Sequence, residues 1–281
     1  MYGALGRPLT FVEICGGIPP ELATPEDVAR ILERGVARGQ FAEEEGFYSP
    51  RARACGSFAR RTQDLLRDHK WKKLESLARW FRHIPFVEFV FVSGSISMGN
   101  VHERSDFDVV TGVRAGRIFM TRYFVSALFS LLNARRLDDL QESSPDKLCF
   151  NHFVTEATYE KEPHNYYRGE LYRNLVPLWG DEETLSKFIS KNAWARMPRL
   201  ALLDAHRIAK GKSVIARALE RLFSGKLGDV FEARVARPIA MKRLHAYLAR
   251  KGEGERVVIG DAELEFHFVL NYEKQFSTLT R

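Results

Sequence analysis

The stretch Val92-Ser93-Gly94-Ser95-Ile96-Ser97-Met98-Gly99-Asn100-Val101-His102-Glu103-Arg104-Ser105-Asp106-Phe107-Asp108-Val109-Val110 decides the fold. Just upstream, Phe86 to Val92 is a run of β-branched and aromatic residues that reads as a buried strand. It ends in Gly94-Ser95, a loop or short helix follows, and a second strand, Asp106 to Val113, opens with two acids. Side chains alternate along a strand, so Asp106 and Asp108 share one face and Phe107 takes the other. Gly94 has no Cβ and lets a phosphate approach the backbone. Ser95 adds a hydroxyl and an N–H, and a helix starting there aims free N–H groups and its positive end at an anion. Adjacent carboxylates repel, and a divalent cation shared with phosphate oxygens relieves that repulsion. Two such ions activate an attacking hydroxyl and stabilise a leaving pyrophosphate.

No single piece carries this reading. Gly-Ser pairs are common, and an Asp-x-Asp by itself is more often a solvated strand end. The combination is what points to chemistry: an apolar strand into Gly94-Ser95, a short spacing, and acids opening a second apolar strand. A serine-hydrolase elbow does not fit, because Ile96 stands where its nucleophile belongs.

Outward from this stretch, Lys147 to Thr155 reads as a third strand and Ala115 to Ala134 as an apolar helix between. That order indicates a sheet domain with helices, of the α/β or α+β class. Upstream, Thr24-Pro25-Glu26-Asp27 is a strong helix start, and Val28, Ile31, Leu32 and Val36 follow at helical spacing until Gly39. Phe41 to Tyr48 turns around Gly46 and reads as a short hairpin, so residues 1–54 resemble the end of a winged-helix domain. A linking helix (55–83) carries an apolar stripe from Leu65 to Phe81. It is decorated by Arg60, Arg61, Arg67, Lys70, Lys72, Lys73 and Arg79, either a solvated face or a ridge for nucleic acid. Residues 161–281 read as mainly helical: Tyr166 to Leu178, Glu183 to Lys191, Arg199 to Phe223 and Asp229 to Arg250, the last with Pro238 inside it. Val257 to Ile259 and Leu264 to Leu270 are too short to assign.

The 281 residues are 45% hydrophobic and 28% charged, which suits a packed globular core. Cys15, Cys55 and Cys149 lie far apart without a CxxC pair, which disfavours a disulfide framework or structural zinc and fits a cytoplasmic protein. The amino terminus does not read as a signal peptide, and no apolar run has membrane-spanning length. The net charge of +7 favours a polyanionic partner, RNA among them, without requiring one.

Gly94-Ser95 followed by Ser105-Asp106-Phe107-Asp108 resembles the signature of the DNA polymerase β-like nucleotidyltransferases. More broadly, the chain from Thr24 onward resembles prokaryotic proteins described only as nucleotidyltransferase-domain proteins. The matching pieces are Glu45 to Tyr48, Ile84 to Val87, Ser93 to Asn100, Ser105 to Asp108, Asp146 to Thr155 and Phe266-His267. The superfamily spans RNA and DNA polymerases, antibiotic nucleotidyltransferases and protein-AMPylating toxins or antitoxins. The resemblance implies an α+β fold with a small mixed-sheet nucleotidyltransferase core at 84–160. It implies a nucleoside triphosphate (NTP) substrate held by Gly94, Ser95 and Ser105, and Mg2+ (or Mn2+) held by catalytic Asp106 and Asp108.

The superfamily often has a third carboxylate on a later strand. Here the middle of that strand carries Cys149, Asn151 and His152, so the candidates are Asp146 at its edge and Glu156 beyond its end. His152 is an alternative base, though a lone strand histidine is more often packed. Arg104 and Lys147 are candidate phosphate contacts with surface solvation as the plainer reading. Trp179, Trp194, Tyr166, Tyr167 and Tyr172 read as core rather than base-stacking residues, and Phe266-His267-Phe268 as packing. His206, His245 and His267 have no metal-ligand spacing. Two functions follow: NTP-dependent transfer of a nucleoside monophosphate to an acceptor hydroxyl, or a degenerate fold that binds nucleic acid or senses nucleotide.

Overall fold

Thr10 ends a two-residue strand, β1 (Leu9–Thr10), and caps the helix behind it, α1 (Phe11–Gly17), through a capping box with Glu13. The device recurs at Thr24, whose hydroxyl accepts from the Asp27 N–H (3.2 Å) while the Asp27 carboxylate accepts from the Thr24 N–H (3.0 Å). This starts α2 (Pro25–Ala37). Gly39 ends it with φ +70°, the Gln40 N–H reaching the Gly35 carbonyl and the Gly39 N–H that of Val36. The strands β2 (Phe41–Glu44) and β3 (Phe47–Pro50) follow. Their two-residue turn has positive φ at both Glu45 and Gly46, the twist that matches a hairpin. The sheet order is β1-β3-β2, all antiparallel. Next comes the long helix α3 (Ser57–Ala78).

This computed structural model describes residues 6–136, 144–161, 164–197, 209–248 and 256–267. The chain forms two compact units, Met1–His69 with Gly99–His102, and Lys70–Met98 with Glu103–Arg281. The division thus falls inside α3. In the first unit, buried Arg60 donates to Glu13, Asp64 and the Pro8 carbonyl. Buried Arg7 donates to Glu13, Asp64 and the Gly99 carbonyl. In the second, Lys70 is buried too. The cations of α3 therefore do not form one solvated face: Arg60 and Lys70 are internal anchors, and Arg61 and Lys73 pair with Glu45 and Asp146. In the expected stripe, Leu74 and Ala78 are buried while Leu65 is exposed.

The second unit continues with β4 (Val87–Val92), α4 (Gly94–Met98), β5 (Phe107–Val113), α5 (Ile118–Leu131) and β6 (Leu148–Val154). Then come α6 (Tyr166–Arg173), β7 (Val176–Gly180), α7 (Glu182–Lys191), α8 (Val214–Phe223), α9 (Lys226–Phe231) and α10 (Arg237–Leu248). The hairpin β8 (Arg256–Ile259) and β9 (Glu263–His267) ends the described chain. The six strands order as β7-β4-β5-β6-β9-β8, with β5 and β6 parallel and the other pairs antiparallel. The architecture is mixed, helices with a mixed sheet, as expected of the α+β class. Helix α5 makes the crossover that a parallel pair needs. Its first N–H groups, at Phe119 and Met120, donate to the Glu232 carboxylate at 2.8 and 2.7 Å, a cap delivered from a distant element.

Aromatic packing fixes the sheet. Phe89 and Phe91, two apart on β4, meet Phe188 of α7 at ring-centroid distances of 4.9 and 5.0 Å. Phe81, Phe129 and Phe150 form a second cluster. A Cβ on Gly112 would sit 2.3 Å from the Phe89 ring, so β5 needs glycine there.

Beyond residue 160 the chain departs from the expected run of helices. The helix expected over Tyr166 to Leu178 stops at Arg173, and Val176–Gly180 is an edge strand paired to β4. The unassigned segments at 257–259 and from 264 are β8 and β9, so the sheet takes three strands from the region read as helical. The helix expected over Asp229 to Arg250 is interrupted by a π-helical turn at Glu232–Ala236, just before Pro238, whose missing N–H breaks the regular ladder. Of the helix expected over Arg199 to Phe223, the described part is helical only from Val214, and 198–208 lie outside the described residues.

Candidate metal centre

One strand, β5, brings both expected acids together, and β4 and β6 flank it. β4 and β5 pair with Val92 opposite Val109, and the Ser93 N–H extends the ladder to the Asp108 carbonyl at 2.9 Å. Asp106 precedes β5 by one residue and Asp108 lies in it. On the parallel neighbour, Cys149 stands in register with Asp108. The ligand atoms of Asp106, Asp108 and Cys149 all lie within 4.8 Å of one another.

Each acid has a fixed partner. Asn151 Nδ2 donates to Asp108 Oδ1 at 2.9 Å, and the Cys149 thiol bonds the same carboxylate. Arg136 Nη1 donates to Asp106 Oδ2 at 2.6 Å, both side chains being 18% exposed. The Arg136 backbone is held by its N–H to the Leu148 carbonyl. Burial and the neighbouring charge of Asp106 push the Asp108 carboxyl up to about 7, against the pull of Arg136, Cys149 and Asn151. That is the repulsion a divalent cation relieves, and two half-buried carboxylates are a donor set that fits a hard cation.

Gly94 has φ +69°, and a Cβ there would lie 2.3 Å from Asp108 Oδ2. The glycine is needed because the Asp108 carboxylate occupies its side-chain space, a reason the sequence reading did not contain. Ser95 is half-buried in the single turn of α4, and the Ser97 hydroxyl donates to the Gly94 carbonyl at 3.0 Å. The Ser105 carbonyl accepts from the Asp146 N–H (3.2 Å) and Lys70 Nζ (3.0 Å). Lys70 also donates to the Glu103 carbonyl (2.9 Å) and Asp146 Oδ1 (2.6 Å), tying down the loop that delivers Asp106.

The candidates for a third carboxylate are engaged elsewhere. Asp146 accepts from Lys70 and Lys73. Burial raises its carboxyl, but these hydrogen bonds and charges override that and hold it below its usual range. Glu156 lies beyond the far end of β6, paired to Lys187 at 2.6 Å. His152 belongs to a different group: its Nε2 lies 3.0 Å from Glu263 Oε1, with Glu265 within metal-ligand reach. The buried Lys161 ammonium ion-pairs with Glu263 and lies 3.7 Å from Glu265, supplying the positive charge there. Arg104 is exposed, and Lys147 Nζ bonds the Asn133 side chain. Trp179 and Tyr172 are buried, and Trp194 packs on the core cluster around Phe188. Phe266 is buried under the Arg122 guanidinium, 4.6 Å from its ring centroid. The side chains of Tyr166 and His267, and residues His206 and Phe268, lie outside the described residues.

The residues missed from the sequence as members of this centre are Arg136, Cys149 and Asn151. The last two were visible as the non-acidic middle of a strand; only the parallel register turns them toward Asp108. Among the described residues no helix is long and apolar enough to cross a membrane.

No protein-family model matches the chain, and no curated protein matches it. A solved structure described as "Crystal structure of the toxin-antitoxin with AMP-PNP" is similar at 16% identity, over 44% of this chain and 86% of that one. Its TM-score is 0.28, a superposition too loose to fix either fold or activity.

Proposed function

We propose that the chain is a metal-dependent nucleotidyltransferase that moves a nucleoside monophosphate from an NTP to an acceptor hydroxyl and releases pyrophosphate. The observation that carries this is the convergence of Asp106 and Asp108 directly behind the Gly94 turn, with Asp108 pushed up by burial and by its neighbour. In this reading Asp106 and Asp108 hold Mg2+ or Mn2+, and Gly94, Ser95 and Ser105 contact the nucleotide. The bound cation supplies Lewis-acid stabilisation of phosphate charge. The chain does the positioning: Asn151 orients the Asp108 carboxylate, and Lys70 fixes the loop carrying Ser105 and Asp106. Arg136 neutralises Asp106 until a cation competes for it. The +7 net charge favours RNA as acceptor over a protein or small molecule. The strand-helix-helix-hairpin order of the first unit, with its β1-β3-β2 sheet, supports a winged-helix-like module for that acceptor.

A second reading has its own support. Among the described residues no third carboxylate joins Asp106 and Asp108, and Arg136 already occupies Asp106. In that reading the centre binds nucleotide without turnover. Incubation with labelled NTPs, Mn2+ or Mg2+ and an RNA acceptor separates the two. Label transfer that disappears in Asp106→Ala, Asp108→Ala supports the enzyme. Equal label in both proteins, or no NTP binding, refutes it, while NTP binding and salt-sensitive RNA binding without label support the second reading.

A further inference from the structure

The site has a sulfur where a third hard ligand is expected. We infer that Cys149 Sγ is the third ligand of the Asp106–Asp108 centre, and that the centre therefore takes a thiophilic divalent cation, of the Co2+, Zn2+ or Cd2+ kind, in preference to Mg2+. The inference rests on the metal-centre reading above and replaces its Mg2+ with a softer cation. Cys149 stands opposite Asp108 on the adjacent parallel strand, so the two side chains leave the sheet on the same side. Its sulfur and one carboxylate oxygen of each acid lie within 4.8 Å of one another, so small side-chain movements bring them onto a shared ion at ligand distances of about 2.0 to 2.3 Å.

The two acids that could have supplied a third carboxylate are committed. Asp146 is held by Lys70 and Lys73, and Glu156 is held by Lys187 beyond the other end of β6. Cys149 is 6% exposed, so bulk water does not compete readily for its sulfur. Mg2+ demands near-octahedral oxygen coordination and binds sulfur poorly, whereas thiolate ligands select softer cations. Two carboxylates and a thiolate leave open positions of the kind catalytic centres keep.

The test uses the full chain with Cys15→Ser and Cys55→Ser, which removes the two other sulfhydryls. Cd2+ is titrated while the ultraviolet thiolate-to-metal charge-transfer band is recorded, and Mn2+ binding is followed by electron paramagnetic resonance with Mg2+ as competitor. The expected result is a band that saturates at equimolar Cd2+ and is absent in Cys149→Ser. Cd2+ affinity should fall in that variant by more than the roughly 10- to 100-fold that loss of an outer-shell partner costs, with Mg2+ competition little changed. Cys149→Asp, which restores an oxygen ligand, should show no band and bind Mg2+ more tightly than its parent. It carries the same comparison if the serine variant does not fold. A band whose Cd2+ affinity is unchanged in Asp106→Asn, Asp108→Asn, or Cd2+ bound in the parent without a band, overturns the inference. If Mn2+ binds and is lost in Asp106→Asn while Cd2+ gives no band, this inference alone fails. If Mn2+ does not bind, or ignores Asp106→Asn, the metal-centre reading fails with it.

Discussion

Replacing Gly94 by alanine tests whether the turn before α4 exists to make room for Asp108. Two effects add. An L residue at φ +69° is strained by about 1–2 kcal/mol relative to glycine. The new Cβ would then stand 2.3 Å from Asp108 Oδ2, too close for any real contact, so the carboxylate must move. Moving it breaks or bends the 2.9 Å hydrogen bond from Asn151, and a bond to a charged group contributes roughly 1.5–3 kcal/mol. The sum is about 2.5–5 kcal/mol, which in a domain of this size lowers the melting temperature by about 5–20 °C. Gly116 supplies the control. Its φ is +74°, but nothing lies within 4 Å of the position a Cβ would take, so Gly116→Ala bears only the backbone strain. Thermal melts of both variants by circular dichroism, with Mn2+ titrations of each, separate strain from displacement. The expected result is a clearly larger destabilisation of Gly94→Ala, together with weakened Mn2+ binding that Gly116→Ala does not show. Equal melting shifts and unchanged Mn2+ affinity in Gly94→Ala would refute the claim that this glycine shapes the site.

Arg136→Gln frees Asp106 from its 2.6 Å ion pair; Mn2+ affinity should rise about tenfold, because a charged hydrogen bond of ~1.5 kcal/mol no longer competes, and a fall in affinity would show that Arg136 assists the cation instead. Lys70→Met strands Asp146 and the carbonyls of Glu103 and Ser105; the buried pair it breaks is worth about 3 kcal/mol, or a melting shift of about 6–12 °C, and a melt within about 2 °C of wild type contradicts the anchoring role. The third concerns acid. Burial pushes Glu13 up, but the Arg60 hydrogen bond, the Thr10 N–H and the charges of Arg60 and Arg7 override it and hold its carboxyl at about 2 instead of 4.5. A depressed carboxylate stabilises fully above its unfolded value and loses that contribution as pH falls, so protection of β1 and α1 should decline between about pH 4.5 and 2. Hydrogen exchange at stepped pH reads this, and Glu13→Gln should already be less protected and flat across the window.

The parts of the fold that were legible are those written in local chemistry. The Thr24 start of α2 and its Gly39 stop follow from hydrogen bonds among neighbours in the chain. The strand run at Val87–Val92 follows from apolar burial interrupted only at Glu88. β7 was not legible. Its Pro177 argues against a strand, and the strand is tolerated because it lies at the sheet edge, with a register shift between Val90 and Phe91 where Pro177 pairs. β9 is held by pairing to β6, and β8 by pairing to β9, so nothing within their own few residues announces them.

The same division runs through the site. Asp106 and Asp108 could be named because a period of two along one strand sets their common face. Arg136, Cys149 and Asn151 could not, because they reach that face from after the α5 crossover, by a register the sequence does not state. The register is itself irregular. Asp108 opposes Cys149 but Val110 opposes His152, so β6 carries one extra residue across that interval. Asn151 sits in the irregular interval and turns its amide onto Asp108, while His152, next in the chain, pairs with Glu263. Reading β6 as a regular strand from its sequence gives the alternation but not this shift. The shift decides which polar residue serves the acids and which joins the buried Lys161 cluster. A one-residue deletion in β6 should therefore damage both groups together, whereas Asn151→Ala should disturb Asp108 and leave the His152–Glu263 pair intact.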